Sequence, residues 1–190
     1  MTRILFVCMG NICRSPIVES VARVELARVG MAAHVESAGT ENYHVGERAD
    51  PRAIAIAQAH GYPLAGHRAR QLQSADFHSF DHVLAMDRVN LRAMQSFRSR
   101  LLIRDESRFQ STESIPHPCP PPQGRENGGH SNYLSAGSMD GVEPVLFLGD
   151  ADVADPYYGT DEDFERVVVL ARDGVSKWIG RLRELRAMGG

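Results

Sequence analysis

Several things are scarce in this chain, and each scarcity excludes something. Of its 21 basic residues only Lys177 is a lysine, and against 24 acidic residues the net charge is −3. A protein held to nucleic acid mainly by charge carries a clear basic excess, so no nucleic-acid partner is expected. There are 3 cysteines, an odd number with no C-x-x-C pair, which excludes a disulfide framework and offers no zinc motif. The N-terminal apolar run from Ile4 to Met9 stops at Gly10, short of the roughly 7–15 residues of a secretory core and the roughly 20 of a membrane span. The expectation is a cytoplasmic protein with no membrane partner, its thiols kept reduced. No internal repeat is visible.

What is present fits a globular fold. The apolar fraction is 43% and the charged fraction 24%, which excludes wholesale disorder and collagen-like repeats. At about 150 residues per domain, 190 residues are slightly more than one domain.

The chain opens strand, loop, helix. Ile4-Leu5-Phe6-Val7 reads as a strand buried on both faces. Ser15-Pro16 reads as a cap followed by proline at the first helical position, and Gly30 ends that helix. A short strand is expected at His34–Ser37, and a helix from the Asp50-Pro51 cap to Gly61. Another strand is expected at Asp81–Met86, then a helix capped by Asp87 and running to about Phe97, and a last strand at Pro144–Leu148. Phe164, Val167, Val168, Ala171, Val175, Trp178, Ile179, Leu182 and Leu185 recur at helical spacing, with Thr160 or Asp161 as cap. Alternating strands and helices predict a three-layer α/β/α fold on a central parallel sheet of about four strands. In such sheets ligands bind at the carboxyl ends of the strands.

Residues 104–143 break this pattern. Proline, glycine, serine and asparagine fill 18 of the 40 positions, a composition of loops or disorder. The chain is therefore expected to be a single domain over 1–190 with an insertion at about 104–143. Lying between a helix and the next strand, the insertion should root at the edge opposite the strand-to-helix loops. Deletion of 104–142 should then leave small-substrate turnover nearly intact.

The pattern C-x5-R occurs at Cys8–Arg14 and again at Cys119–Arg125, where chance alone supplies roughly 0.3 matches. A loop that cradles phosphate aims successive backbone N–H groups at one anion and gains from a helix N-terminus behind it. The Cys119 match has three prolines in the cradle, so three donors are missing, and no strand precedes it. The Cys8 match leaves a strand, contains no proline and enters a helix. It predicts a phosphate-binding loop of Met9, Gly10, Asn11, Ile12, Cys13, Arg14 and Ser15 after the first strand. Cys8 would be a thiolate nucleophile activated by the helix terminus and the guanidinium. Arg14 supplies a planar fork for two phosphate oxygens, and Gly10 and Asn11 tolerate the positive φ of an amide nest. Ser15 can cap the helix and donate to the thiolate.

The stretch Val7-Cys8-Met9-Gly10-Asn11-Ile12-Cys13-Arg14-Ser15-Pro16 resembles the active-site signature of the low-molecular-weight protein tyrosine phosphatases. Further landmarks follow in that family's order: Ser37-Ala38-Gly39-Thr40, Val45-Gly46 with Asp50-Pro51-Arg52, His67–Gln71, Asp76-Phe77, Met86-Asp87 with Asn90-Leu91, and Asp155-Pro156-Tyr157-Tyr158-Gly159. The resemblance spans nearly the whole chain outside 104–143. It implies metal-independent and cofactor-independent hydrolysis of phosphotyrosine and small aryl phosphate monoesters through a phosphocysteine, releasing inorganic phosphate. It assigns the general acid and base to Asp155, a loop-ordering network to Asn11, Ser15, Ser37 and His67, and the substrate cleft to Ile12, Tyr43, Tyr157 and Tyr158. Relatives acting on phosphoarginine carry threonine where this chain has Ile12, which favours phosphotyrosine. The two final tyrosines are alternatively core or hinge aromatics. Cys13 is a candidate redox partner of Cys8 or a small buried hydrophobe.

The acidic run of Asp150, Asp152, Asp155, Asp161, Glu162 and Asp163 fails as a calcium loop, because its sixth position is Asp155 where glycine is required. No metal is expected. Two rivals remain: an arsenate reductase, which would relay electrons through further cysteines where only Cys13 and the poorly placed Cys119 are available, and a non-catalytic phosphate-binding module, which would lack the nucleophile or the acid.

Overall fold

In the computed structural model, which describes residues 1–110 and 141–188, the order of elements is β1 (Thr2–Cys8), α1 (Arg14–Arg28), β2 (Ala33–Gly39), α2 (Pro51–Ala59), α3 (Asp76–Ser79), β3 (His82–Ala85), α4 (Arg88–Gln110), β4 (Val145–Leu146) and α5 (Asp161–Met188). The four strands form one parallel sheet in the order β2-β1-β3-β4. Cys8 lies opposite Gly39 at the end of the β1–β2 ladder, while Ile4 opposes His82 on the other side. Side chains alternate along a strand, and a central parallel strand is covered on both faces. Ile4, Phe6 and Cys8 accordingly join the core beneath α1, α2 and α5, whereas Leu5 and Val7 pack with Phe77, Phe80 and Met94 beneath α3 and α4. This is the three-layer α/β/α arrangement. Because β2 and β3 flank β1 on opposite sides, the switch point of the sheet falls at the carboxyl end of β1, where Cys8 stands.

Several element boundaries differ from expectation. α1 begins at Arg14, with Cys13 as N-cap and no side-chain cap, so Ser15 and Pro16 lie inside the first turn. The first four N–H groups of a helix have no intrahelical partner, so proline costs nothing there and Ser15 is released from capping. α4 continues past Phe97 to Gln110, because no glycine or proline interrupts 88–110; the first seven residues of the expected insertion are thus helical. The remainder, 111–140, with Cys119 and its C-x5-R match, lies outside the described residues. β4 pairs over only Val145 and Leu146, since Phe147 already turns its carbonyl to Trp178 Nε1 (2.9 Å). On α5 the expected apolar stripe is buried from Phe164 to Leu182, but Leu185 is 44% exposed. The last turn of α5 lies at the rim of the sheet, where Arg186 donates to the Ala32 carbonyl.

The Asp50 cap of α2 accepts from the Arg52 N–H (2.8 Å), and Asp87 Oδ1 accepts from the Asn90 N–H (2.7 Å) at the start of α4. No described helix is long and apolar enough to cross a membrane.

Candidate active site

Between Cys8 and α1 the backbone is held from outside by its carbonyls. Thr40 N–H donates to the Cys8 oxygen (2.9 Å), Glu41 N–H to Met9 (3.0 Å), and Asp50 N–H to Ile12 (2.9 Å). His67 Nε2 lies 2.8 Å from the Asn11 oxygen, and since a carbonyl only accepts, that ring nitrogen carries the hydrogen. A planar trans peptide sets N–H opposite C=O. Four carbonyls held outward therefore turn the amides toward the concave side, where the Asn11 N–H points at Cys8 Sγ (3.3 Å). The amino end of α1 opens onto the same space, which adds its dipole to the cradle.

Asn11 is the hinge of the loop. Its φ is 57°, the left-handed region that asparagine tolerates. Gly10, which was expected to share that conformation, does not. Its lack of a side chain matters for space instead, because a Cβ there would stand 2.9 Å from His44 Cδ2. The Asn11 amide donates to Ser15 Oγ (3.0 Å) and Ser37 Oγ (2.8 Å), and its Oδ1 accepts from the Arg70 N–H (2.9 Å). Ser37 passes its own hydrogen to Glu19, and Ser15 Oγ donates to Cys8 Sγ (3.1 Å). Asn11, Ser15, Ser37 and His67 are thus brought into one connected network, buried throughout except for the partly buried His67. Two hydrogen bonds thus end on the Cys8 sulfur, from the Asn11 N–H and the Ser15 hydroxyl.

Arg14 is 3% exposed and has three partners: Asp87 on one nitrogen, with the Val153 carbonyl (3.3 Å), and Asp155 Oδ2 on the other (2.6 Å). Burial works against its charge, but Cys8, Asp155 and Asp87 outweigh that and raise its affinity for the proton. Asp155 is 46% exposed, and its second oxygen accepts from the Tyr157 N–H (3.2 Å).

These groups line a cleft of about 310 Å³, with Cys8 and Arg14 at its floor and Ile12, Tyr43, Tyr157 and Tyr158 among its walls. Tyr157 and Tyr158 meet edge to face at 4.9 Å. Tyr158 is 97% exposed, which excludes a core role for it. Cys13 also borders the cleft; it and Cys8 are free thiols. Burial first, then the charges of Asp50, Cys8 and Asp155, push the Cys13 thiol far up, so it rests protonated.

Four participants were missed in the sequence. Asp87 was read as a helix cap and a family landmark with no role in the site, yet its second oxygen holds Arg14. Glu19 receives Ser37 and stands one turn after Ser15, and an acid inside the apolar face of α1 was the available signal. Arg70 and His44 carried no signal in local spacing. Among the described residues, no group of three or more His, Cys, Asp and Glu side chains is arranged to hold a metal ion.

The chain is similar to known proteins over most of its length. Residues 3–117 match the family model of the low molecular weight phosphotyrosine protein phosphatases. The low molecular weight protein-tyrosine-phosphatase of Streptomyces coelicolor is 36% identical over 184 residues, covering 96% of this chain and 94% of that one. The human low molecular weight phosphotyrosine protein phosphatase is 32% identical over 166 residues, covering 86% and 85%. The crystal structure of a protein tyrosine phosphatase from Entamoeba histolytica superposes with a TM-score of 0.71 at 27% identity, covering 98% of this chain and 99% of that one.

Proposed function

The chain belongs to the low molecular weight phosphotyrosine protein phosphatases, hydrolases of phosphoric monoesters, and on that premise we propose that it cleaves phosphotyrosine and small aryl phosphates through a phosphocysteine on Cys8. The observation that carries this reading is the convergence of the Cys8 thiol, inward amides, Arg14 and Asp155 on one cleft. The phosphate's equatorial oxygens take the amides and the Arg14 fork. In doing so they compete for the donor that Asp155 now occupies, and its carboxyl is freed toward the ester oxygen.

Cys8 Sγ forms the S–P bond as the P–O bond to the phenol breaks. A phenolate is a poor leaving group because its conjugate acid has a pKa near 10, so Asp155 gives it a proton. Water then attacks phosphorus, the S–P bond breaks, and Asp155 takes the proton from that water, releasing inorganic phosphate. Arg14 and the amides stabilise the charge on the phosphoryl group in both steps. The aromatic walls suit a planar ring standing above the floor. In this reading the protein's substrates are phosphotyrosyl proteins or small aryl phosphates, and no metal takes part.

The test is hydrolysis of p-nitrophenyl phosphate and phosphotyrosyl peptides with EDTA present. Cys8→Ser should abolish turnover while inorganic phosphate still binds. Asp155→Ala should slow hydrolysis by about 10²–10⁴, the usual worth of general acid catalysis. Full activity in either variant sinks the mechanism, and arsenate-dependent thiol consumption without phosphatase turnover would favour arsenate reduction instead.

A further inference from the structure

Asp155 reaches the cleft on a stretch between β4 and α5 that has neither helix nor strand of its own. Its near end is tied to the sheet, where Val153 N–H donates to the Met86 carbonyl (2.8 Å). Beyond Asp155 the chain is held from outside the loop by Arg52 in the first turn of α2. Arg52 Nη2 donates to the Tyr157 carbonyl (2.9 Å) and Nη1 to the Gly159 carbonyl (3.2 Å). The rest of the fork is occupied by Asp50, through Nε to Oδ1 (3.1 Å) and Nη2 to Oδ2 (2.9 Å). The guanidinium carbon also sits 4.6 Å from the centre of the Phe164 ring at the start of α5.

Both ends of this arrangement lead to the reacting groups. Asp50 donates its N–H to the Ile12 carbonyl of the phosphate loop (2.9 Å). Tyr157, whose carbonyl Arg52 holds, gives its N–H to Asp155 Oδ1. A continuous strut thus runs from the phosphate loop through Asp50 and Arg52 to the peptide that orients the Asp155 carboxyl.

We propose that Arg52 is a positioning residue for the proton transfer, setting the acid-bearing loop at a fixed distance from the phosphate loop. The proposal rests on the reading of Asp155 as general acid. Only a planar fork can hold two carboxylate oxygens and two carbonyls at once; a lysine ammonium is a point donor without that geometry. A misplacement of about 1 Å in a reacting group costs on the order of 10² in rate, so losing the strut registers in proton transfer before it registers in phosphate binding.

The experiment compares kcat/KM for two substrates of one enzyme, because that ratio reports the steps up to phosphocysteine formation and not the hydrolysis both substrates share. Tyrosine phosphate needs its leaving group protonated, whereas 2,4-dinitrophenyl phosphate releases an anion that is stable without a proton. Arg52→Gln should lower kcat/KM for tyrosine phosphate by roughly 10–100-fold. It should leave kcat/KM for dinitrophenyl phosphate and inhibition by inorganic phosphate close to wild type, the latter also reporting an intact loop. Arg52→Lys, which keeps the cation beside Phe164, should show a smaller loss with the same selectivity. In an Asp155→Asn background, Arg52→Gln should add no further dependence on the leaving group. Equal losses on both substrates for Arg52→Gln and Arg52→Lys would overturn the proposal. If Asp155→Asn itself slows both substrates equally, the general-acid reading fails; if it is selective while both Arg52 variants match wild type, only the positioning role fails.

Discussion

Gly39 closes β2 directly beneath the phosphate loop. A Cβ there would stand 2.5 Å from the Met9 oxygen, 3.1 Å from the Glu41 oxygen and 3.2 Å from the Gly10 carbonyl carbon. All three are backbone atoms, so the loop itself must move to admit a methyl group. Gly39→Ala should therefore lower kcat/KM on p-nitrophenyl phosphate by roughly 10²-fold, the scale of an ångström of misplacement. Unchanged kinetics would mean that the loop has slack there. Gly10→Ala makes a useful contrast, because its methyl meets side chains rather than backbone, the closest contact being His44 Cδ2 at 2.9 Å. At this scale the six-residue spacing of Cys8 and Arg14 was legible because both belong to one local loop. Asp87 was not, because its bond to Arg14 spans 73 residues of sequence and depends on β3 lying beside β1.

Among the helices, α5 shows how packing overrides propensity. Gly174 lies on its buried face, and a Cβ there would come within 2.7 Å of Leu148 Cδ2 and of the Phe147 ring. Phe147 is 2% exposed and wedged edge to face against Phe6 at 5.4 Å, so it has nowhere to go. Alanine in place of glycine favours a helix by about 0.8–1.0 kcal/mol, while overpacking a filled core costs about 1–3 kcal/mol. The second effect is the larger, and Gly174→Ala should lower stability by about 1 kcal/mol in urea unfolding. A rise in stability would show that the β4–α5 contact is loose. Element types were readable from periodicity and caps, as at Asp50-Pro51. Extents were less so: the end of α4 and the two-residue β4 depend on what each element meets rather than on its own residues.

For the whole molecule, we propose one domain over 1–190 with an insertion, of which 111–140 lie outside the described residues. The chain re-enters the fold at Gly141, whose carbonyl accepts from Arg98 (3.3 Å), and Val142 N–H donates to the Phe77 carbonyl (2.7 Å). Phe77 precedes β3, so this root lies at the amino edge of the sheet, away from Cys8. Arg98 to Gln110 is twelve helical steps, roughly 18 Å. An eight-residue Gly-Ser linker, reaching up to roughly 26 Å, can replace 111–140. That deletion should leave p-nitrophenyl phosphate turnover near wild type. A large loss in a folded variant would show that the segment contributes to the cleft.

Local order along the chain was enough to settle the layered fold and the cysteine–arginine loop, because strand runs, caps and amide-bearing loops are properties of neighbouring residues. The distant partners Asp155, Ser37 and His67 were named only through the family resemblance, and their contacts, like those of Asp87 and Arg52, came with the tertiary structure. Arg14 meets Asp155 across 141 residues, and Arg52 holds the Tyr157 carbonyl across 105. Such pairs form where strand order and helix packing bring distant segments to the same end of the sheet, and no local pattern encodes that order.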